Sequence, residues 1–193
     1  ANFLKTFIIV SLFIFFVYDF KLKHKILSLI VMLLLIISFA TSNKYYKLRY
    51  FEQVSSILKK NGISSYLNNS QYGAHYNVAK EIFKDNPFFG IGIKNFRVES
   101  SKDKYDNLNH PLNIVRSATH PHQIHYEFLS ETGLFGYFSF LIFIFLSLYW
   151  SIKNFLVNKN IYQLSSILFV ITSLSPLLPS GSFLSTYTSS IFW

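Results

Sequence analysis

The sequence predicts an all-α, polytopic membrane protein with about four spans, a truncated fifth, and a large helical extracytoplasmic loop. Three observations carry this prediction. The chain is 51% hydrophobic with a mean hydropathy of +0.31, too apolar for an ordinary soluble domain. Its apolar residues form blocks, at 3–18, 26–40, 134–152 and 161–178, where a crossing helix needs ~20 mostly apolar residues and at least roughly 17. Finally, the tips between paired blocks are basic: Lys21, Lys23 and Lys25 in the first, Lys153 and Lys159 in the second. Short basic loops stay cytoplasmic, which puts the long stretch between the pairs on the opposite side.

Three regions follow: two transmembrane helices over 1–42, an extracytoplasmic loop over 43–132, and further transmembrane helices over 133–193. The second block reaches spanning length only with Thr41 and Ser42. The chain opens at Ala1 almost inside an apolar run and stops at Trp193 in Ser-Ser-Ile-Phe-Trp, so it reads as a piece of a longer multispan protein. In the loop, Tyr50–Lys60 carries apolar residues at helical spacing. Asn61–Ser70 is a connector rich in Asn and Ser. A second helix is expected from about Ala74 to Lys84, with Tyr76, Ala79, Ile82 and Phe83 on its apolar face. Asp85-Asn86-Pro87 ends it. Residues 99–118 are polar and irregular and read as a mobile flap. Pro121 suits the first turn of a third helix running to Thr132, which places His120 and His122 at its N-terminal end. Ser175-Pro176, Pro179 and Gly181 interrupt the last apolar block, as a tight outer turn would.

The net charge is +9 and there is no cysteine. Disulfides, zinc-thiolate sites and cysteine nucleophiles are excluded. The basic residues of the outer loop are scattered and on the wrong side of the membrane for nucleic acid. A pyrophosphate or an anionic lipid headgroup suits them better.

The densest chemistry lies in HPHQIHYEFLSETGLFGY, residues 120–137, at the border of the third apolar block. Ionisable groups are costly there and point to a function. Histidine is the natural general base near neutral pH, and His122 is the first choice, with His120 beside it. Ligation of a metal by His120, His122 and His125 is the second reading, but the three do not share a helix face and no His-Glu-x-x-His arrangement is present. Solvated interface histidines are the third. Arg97 and Arg116 are candidates to hold a pyrophosphate, since the guanidinium is a planar, always-charged fork; plain surface charge is the alternative. Gly90 and Gly92 lack the third glycine of a dinucleotide loop, Asn95 standing in its place, so they suit a tight turn or a close backbone approach to a ligand. Glu127 and Glu131, four apart on one helix face, would serve as an acid/base pair, or one would orient a histidine or arginine while the other faces solvent.

Two motifs resemble the O-antigen ligase and O-antigen polymerase superfamily, bacterial membrane enzymes. The first is a helix followed by Pro-x-x-Gly-x-Gly-x-x-x-Phe, here Pro87, Gly90, Gly92 and Phe96. The second opens on a histidine and closes on Glu-x-Gly-x-x-Gly, here His122, Glu131, Gly133 and Gly136. The resemblance covers about residues 70–193. Gln123 replaces the asparagine usual after the histidine, and His75 stands near where many members carry an arginine. The resemblance implies glycosyl transfer without metal or other cofactor, from an undecaprenyl-pyrophosphate-linked glycan, on the outer face of the inner membrane with the large loop periplasmic. The acceptor hydroxyl would belong to lipid A-core, another glycan or a protein. It also implies catalytic roles for His122, His120 and Glu131, and donor contacts from Arg97, Arg116, His75, Gly90 and Gly92. The competing class, a transporter or flippase of the same lipid-linked glycans, would keep ionisable residues inside its spans. Apart from Lys5 the span interiors carry no charge, which favours an enzyme.

Overall fold

The computed structural model describes residues 21–44, 70–174 and 179–185, together with 11, 15 and 62. All regular structure among them is helical. The chain divides into two compact units, Ala1–Tyr66 and Leu67–Trp193. The first expected span (all but Ser11 and Phe15), the expected helix over Tyr50–Lys60, and the end of the chain from 186 lie outside the described residues.

In the first unit, α1 (Leu22–Thr41) begins inside the basic tip expected to precede it. Lysine is a good helix former, so the lysines extend the helix rather than delay it. Its apolar side chains, Leu27, Ile30, Leu33, Leu34 and Ile37 among them, are exposed. Its hydroxyls turn back on the helix: Ser28 Oγ donates to the Lys25 carbonyl at 2.8 Å, and Thr41 Oγ1 to that of Ile37 at 2.8 Å. That satisfies polar atoms in apolar surroundings.

The second unit starts with α2 (Gln71–Asp85), longer at both ends than expected. Ser70 caps it, its Oγ accepting the Gly73 N–H at 3.1 Å. Asn86, forced out of the helical region by Pro87, closes it. Its buried stripe runs through His75, Val78, Ala79 and Ile82, a spacing that puts His75 on the core face. Val78, Ala79 and Ile82 pack with Phe96 and Tyr105, and Tyr76 stacks on Tyr126 with ring centroids 5.1 Å apart. Phe96 opens a short helix, α3 (Phe96–Glu99).

Residues 99–118 are pinned rather than loose. Asn113 Nδ2 donates to the carbonyls of Tyr105 at 2.9 Å and Asp106 at 2.7 Å. Lys104 bridges Glu99 at 2.7 Å and Asp85 at 3.1 Å, and the Tyr105 hydroxyl donates to Asp85 at 2.9 Å. The segment looked irregular in sequence because side-chain bonds, not periodicity, hold it.

The long helix α4 (Ile124–Asn158) starts three residues later than Pro121 suggested, capped by Gln123, whose Oε1 accepts the Tyr126 N–H at 2.9 Å. It is broken at Gly133, where φ is 64° and ψ −167°. After two residues, with Lys159 in the left-handed region and Asn160 as cap, α5 (Ile161–Ser173) returns along it. His125 shows the return directly: its Nδ1 meets the Tyr137 hydroxyl at 2.9 Å and its Nε2 the Leu174 carbonyl at 2.9 Å. Helix α4 is long and apolar enough to cross a membrane, and α5 is a shorter apolar helix. Phe138, Ile142, Phe145, Trp150 and Phe169 are exposed, a large apolar surface of the kind a lipid phase would cover.

The loop 86–95 is stitched across the break. Leu134 and Phe135, the first free N–H groups after it, donate to the carbonyls of Pro87 at 2.8 Å and Phe88 at 3.2 Å. Ser130 and Glu131, just before it, accept from Ile91 at 3.1 Å and Gly92 at 2.9 Å. A Cβ on Gly133 would lie 2.4 Å from the Phe88 carbonyl carbon, and one on Gly90 2.4 Å from that of Glu131. Gly133→Ala combines this clash with a backbone region essentially reserved for glycine, which costs on the order of 1–3 kcal/mol before any collision. The detergent-solubilised protein should therefore unfold several degrees lower. Gly181→Ala, with nothing within 4 Å, should leave the melting temperature within about a degree.

Candidate functional site

Three imidazoles meet at the end of the α4–α5 hairpin opposite Lys153 and Lys159. His120 and His122 lie in the bend just before α4, which starts at Ile124 and not at Pro121 as expected. Their ring centroids are 4.1 Å apart. His75, from the buried stripe of α2, lies 5.3 Å from His122. Tyr72, one turn earlier on α2, meets His122 edge-on at 5.5 Å. The His75 Nδ1 is 3.0 Å from the Arg116 carbonyl. Against a carbonyl that nitrogen must carry the hydrogen when the ring is neutral, leaving Nε2 as the acceptor. The His120 Nδ1 pairs with the Thr119 hydroxyl at 3.0 Å. Its Nε2 is buried without a partner at hydrogen-bonding geometry, although the Ser180 backbone acts on the ring.

Burial and mutual repulsion keep the cluster neutral. Desolvation, then the neighbouring His120 and His75, lower the His122 pKa to about 4. Burial lowers His75, against the opposing pull of the Arg116 carbonyl, and lowers His120 as well. At neutral pH the rings are bases with free lone pairs, not cations. His122 also stands in the left-handed region, with φ at 59°, and its carbonyl accepts the Ser180 N–H at 2.7 Å.

The other expected site residues are placed differently. Both carboxylates are buried, Glu127 at 2% exposure and Glu131 at 1%, so neither faces solvent, and among the described residues neither hydrogen-bonds a histidine or arginine. Glu131 accepts the Lys94 N–H at 2.7 Å and the Phe96 N–H at 3.2 Å. It holds the loop that carries Gly90 and Gly92. Glu127 accepts the Phe183 N–H at 2.8 Å and the Ser182 hydroxyl. The Arg116 guanidinium is tied to Asp106 and to the Lys102 carbonyl at 3.3 Å; its carbonyl, not its charge, touches the cluster. Arg97 is exposed, with no hydrogen bond or ion pair among the described residues. His125 is occupied in joining α4 to α5. Among the described residues no three His, Cys, Asp or Glu side chains are grouped to hold a metal ion. Sequence reasoning missed Tyr72, although its place three residues before His75 puts it on the same helix face. It also missed the grip of Glu127 on residues 182–183, for which spacing gives no signal across so long a separation.

A family model described as O-antigen ligase matches residues 2–141. The chain belongs to the O-antigen ligase family. The match takes in the first apolar block, the loop and both motifs, and it ends at 141, whereas the motif resemblance suggested an extent of about 70–193. No curated protein and no solved structure matches the chain significantly. Membership makes this a membrane protein of a family of glycan-related enzymes; of the residues in the two motifs, Pro87, Gly90, Gly92, Glu131 and Gly133 build the junction, and His122 lies in the histidine cluster.

The depressed imidazoles predict a pH dependence. Unfolded histidines titrate near their ordinary value of 6.5, so between there and about 4 the unfolded chain binds more protons than the folded one. The histidine contribution to stability should be complete above about pH 6.5 and lost as pH falls toward 4. Across that range, thermal unfolding should show His122→Asn losing less stability on acidification than the parent chain, and the difference is the His122 share.

Proposed function

We propose that this chain transfers a glycan from an undecaprenyl-pyrophosphate carrier to an acceptor hydroxyl, with the loop 43–132 on the outer face of the bacterial inner membrane. The observation that carries the reading is the neutral cluster of His75, His120 and His122 in a chain of the O-antigen ligase family. It offers a base, in a desolvated setting, at the end of an apolar hairpin where a lipid-linked substrate would arrive.

In this mechanism an imidazole nitrogen of His122 takes the acceptor's hydroxyl proton as the oxygen attacks the anomeric carbon. The bond from that carbon to the pyrophosphate oxygen breaks, and undecaprenyl pyrophosphate leaves with the electron pair. His120 and His75, whose repulsion disfavours a second proton in the cluster, set the strength of the base. Arg97, exposed and without an ion pair among the described residues, would meet the departing pyrophosphate, where fixed positive charge is most effective. Arg116 acts through its carbonyl on His75, and its charge is spent on Asp106. Glu131 positions the Gly90–Gly92 loop and does not exchange protons. The acceptor is a hydroxyl of lipid A-core, a growing glycan or a protein. The chemistry needs only the imidazole and the guanidinium, since the donor is already activated.

Two substitutions in the full-length chain test the assignment. His122→Ala should lower transfer by ~10²–10⁴-fold, the range for loss of a general base, with the lipid-linked precursor accumulating and membrane expression unchanged. Undiminished surface glycan on a gel would remove His122 from the chemistry. Arg97→Ala should cost roughly 10²-fold, as for loss of one charge-stabilising donor, and Arg97→Lys should recover only part of it.

A further inference from the structure

Glu127 is a buried carboxylate whose partners lie far along the chain. A carboxylate at 2% exposure with only neutral donors as hydrogen-bond partners is expensive to bury, so its placement calls for a purpose beyond filling space. Both oxygens hold one segment, 179–185, far along the chain: one accepts the Ser182 hydroxyl, the other the Phe183 N–H at 2.8 Å. The Phe183 ring, 4% exposed, fits against Phe128 at 5.6 Å and Phe140 at 5.4 Å. Three residues before it, the Ser180 N–H donates to the His122 carbonyl at 2.7 Å. The Ser180 Oγ is buried without a partner. His122 itself holds a left-handed backbone, a conformation uncommon outside glycine.

We propose that Glu127 is a positioning residue of the transfer site: it latches segment 179–185 so that Ser180 holds the His122 backbone, and with it the ring, in the geometry that takes the acceptor's proton. The inference rests on the reading of His122 as the base. The latch is a pair of hydrogen bonds to a charged acceptor, stronger than neutral ones. It is set on the helix that begins just after His122, so the residue and its restraint share one rigid support.

The test separates the latch from the chemistry. This sequence has no cysteine, so Ser180→Cys, with any cysteine elsewhere in the full-length chain replaced by serine, gives a single thiol at a buried position. With Glu127 intact, maleimide should label it slowly in membranes. Glu127→Gln should speed labelling about tenfold, the scale of a weakened charged hydrogen bond, and Glu127→Asp should lie between. If Glu127→Gln fails to accumulate, Ser182→Ala removes one bond alone and should give about a threefold increase. An unchanged labelling rate in the variant that accumulates overturns the latch. Without the added thiol, Glu127→Gln should lower kcat about tenfold with KM for the donor little changed, and should cost nothing more on a His122→Ala background. Faster labelling with unaltered turnover overturns the positioning role. If His122→Ala alone leaves turnover intact, the transfer reading fails and the positioning role falls with it, while labelling still reports whether Glu127 holds the segment.

Discussion

The break at Gly133 is the constraint on which the rest of the second unit depends. A helix end leaves N–H and C=O groups without partners, and a break in mid-helix leaves two such ends facing each other. Here one loop satisfies both: carbonyls of Pro87 and Phe88 take the N–H groups of Leu134 and Phe135, while the N–H groups of Ile91 and Gly92 reach the carbonyls of Ser130 and Glu131. Backbone can approach backbone this closely only where no Cβ intervenes, which is why Gly90 and Gly133 face one another's segments. The Glu131 carboxylate adds the Lys94 and Phe96 N–H groups. With Phe96 fixed and buried, the apolar stripe of α2 has its partner, and His75 is brought to His122.

Glu127 and Glu131 sit one turn apart and do the same physical work in opposite chain directions. Glu131 holds a loop that precedes α4 in sequence; Glu127 holds a segment that follows α5. Each offsets the cost of burying its charge with hydrogen bonds, from two backbone N–H groups at Glu131 and from the Phe183 N–H and the Ser182 hydroxyl at Glu127. The short first part of α4, before Gly133, is therefore a spine to which distant stretches of chain are pinned. The polar bonds collect at this end of the hairpin, while exposed aromatic and aliphatic residues cover the part of α4 beyond it. Apolar burial cannot fix loops at a surface that lipid covers, because the lipid solvates apolar side chains as well as a neighbouring helix does. Directional hydrogen bonds can.

Local signals made much of this legible in the sequence. Apolar blocks gave α1, α4 and α5, and Asn86-Pro87 gave the end of α2. The two-glycine motif pointed to a tight turn or close backbone approach, and the structure shows both, though the partner is the chain's own helix. What stayed hidden was long-range. Nothing in the spacing of Glu127 and Glu131 distinguishes a proton-transfer pair from two carboxylates gripping N–H groups, because both arrangements need a buried acidic residue near a helix start. Arg116 was hard to read for a related reason: a scarce arginine four residues before His120 looks placed for an anion, whereas its guanidinium pairs with Asp106 in the structure. The ordered stretch 99–118 was invisible because Asn113, Tyr105 and Lys104 hold it by single contacts that leave no period.

The electrostatics of the cluster bear on how such a site selects its moment of reaction. Among the described residues the three imidazoles pack without a carboxylate hydrogen-bonded to them, which disfavours protonation, and Glu127 and Glu131 are committed elsewhere. Under the proposed transfer, the first strong negative charge to approach is the donor's own pyrophosphate. An anion within a few ångströms favours the charged form of an imidazole, so the bound donor would itself raise the basicity of His122 and bring it toward the range where a base is effective. A carboxylate built permanently beside the ring would achieve the same shift in the empty site, but it would also repel the pyrophosphate. Glu131 turns its charge onto the Lys94 and Phe96 N–H groups and Glu127 onto the Ser182 hydroxyl and Phe183 N–H, so under the proposed transfer neither carboxylate is set against the incoming pyrophosphate.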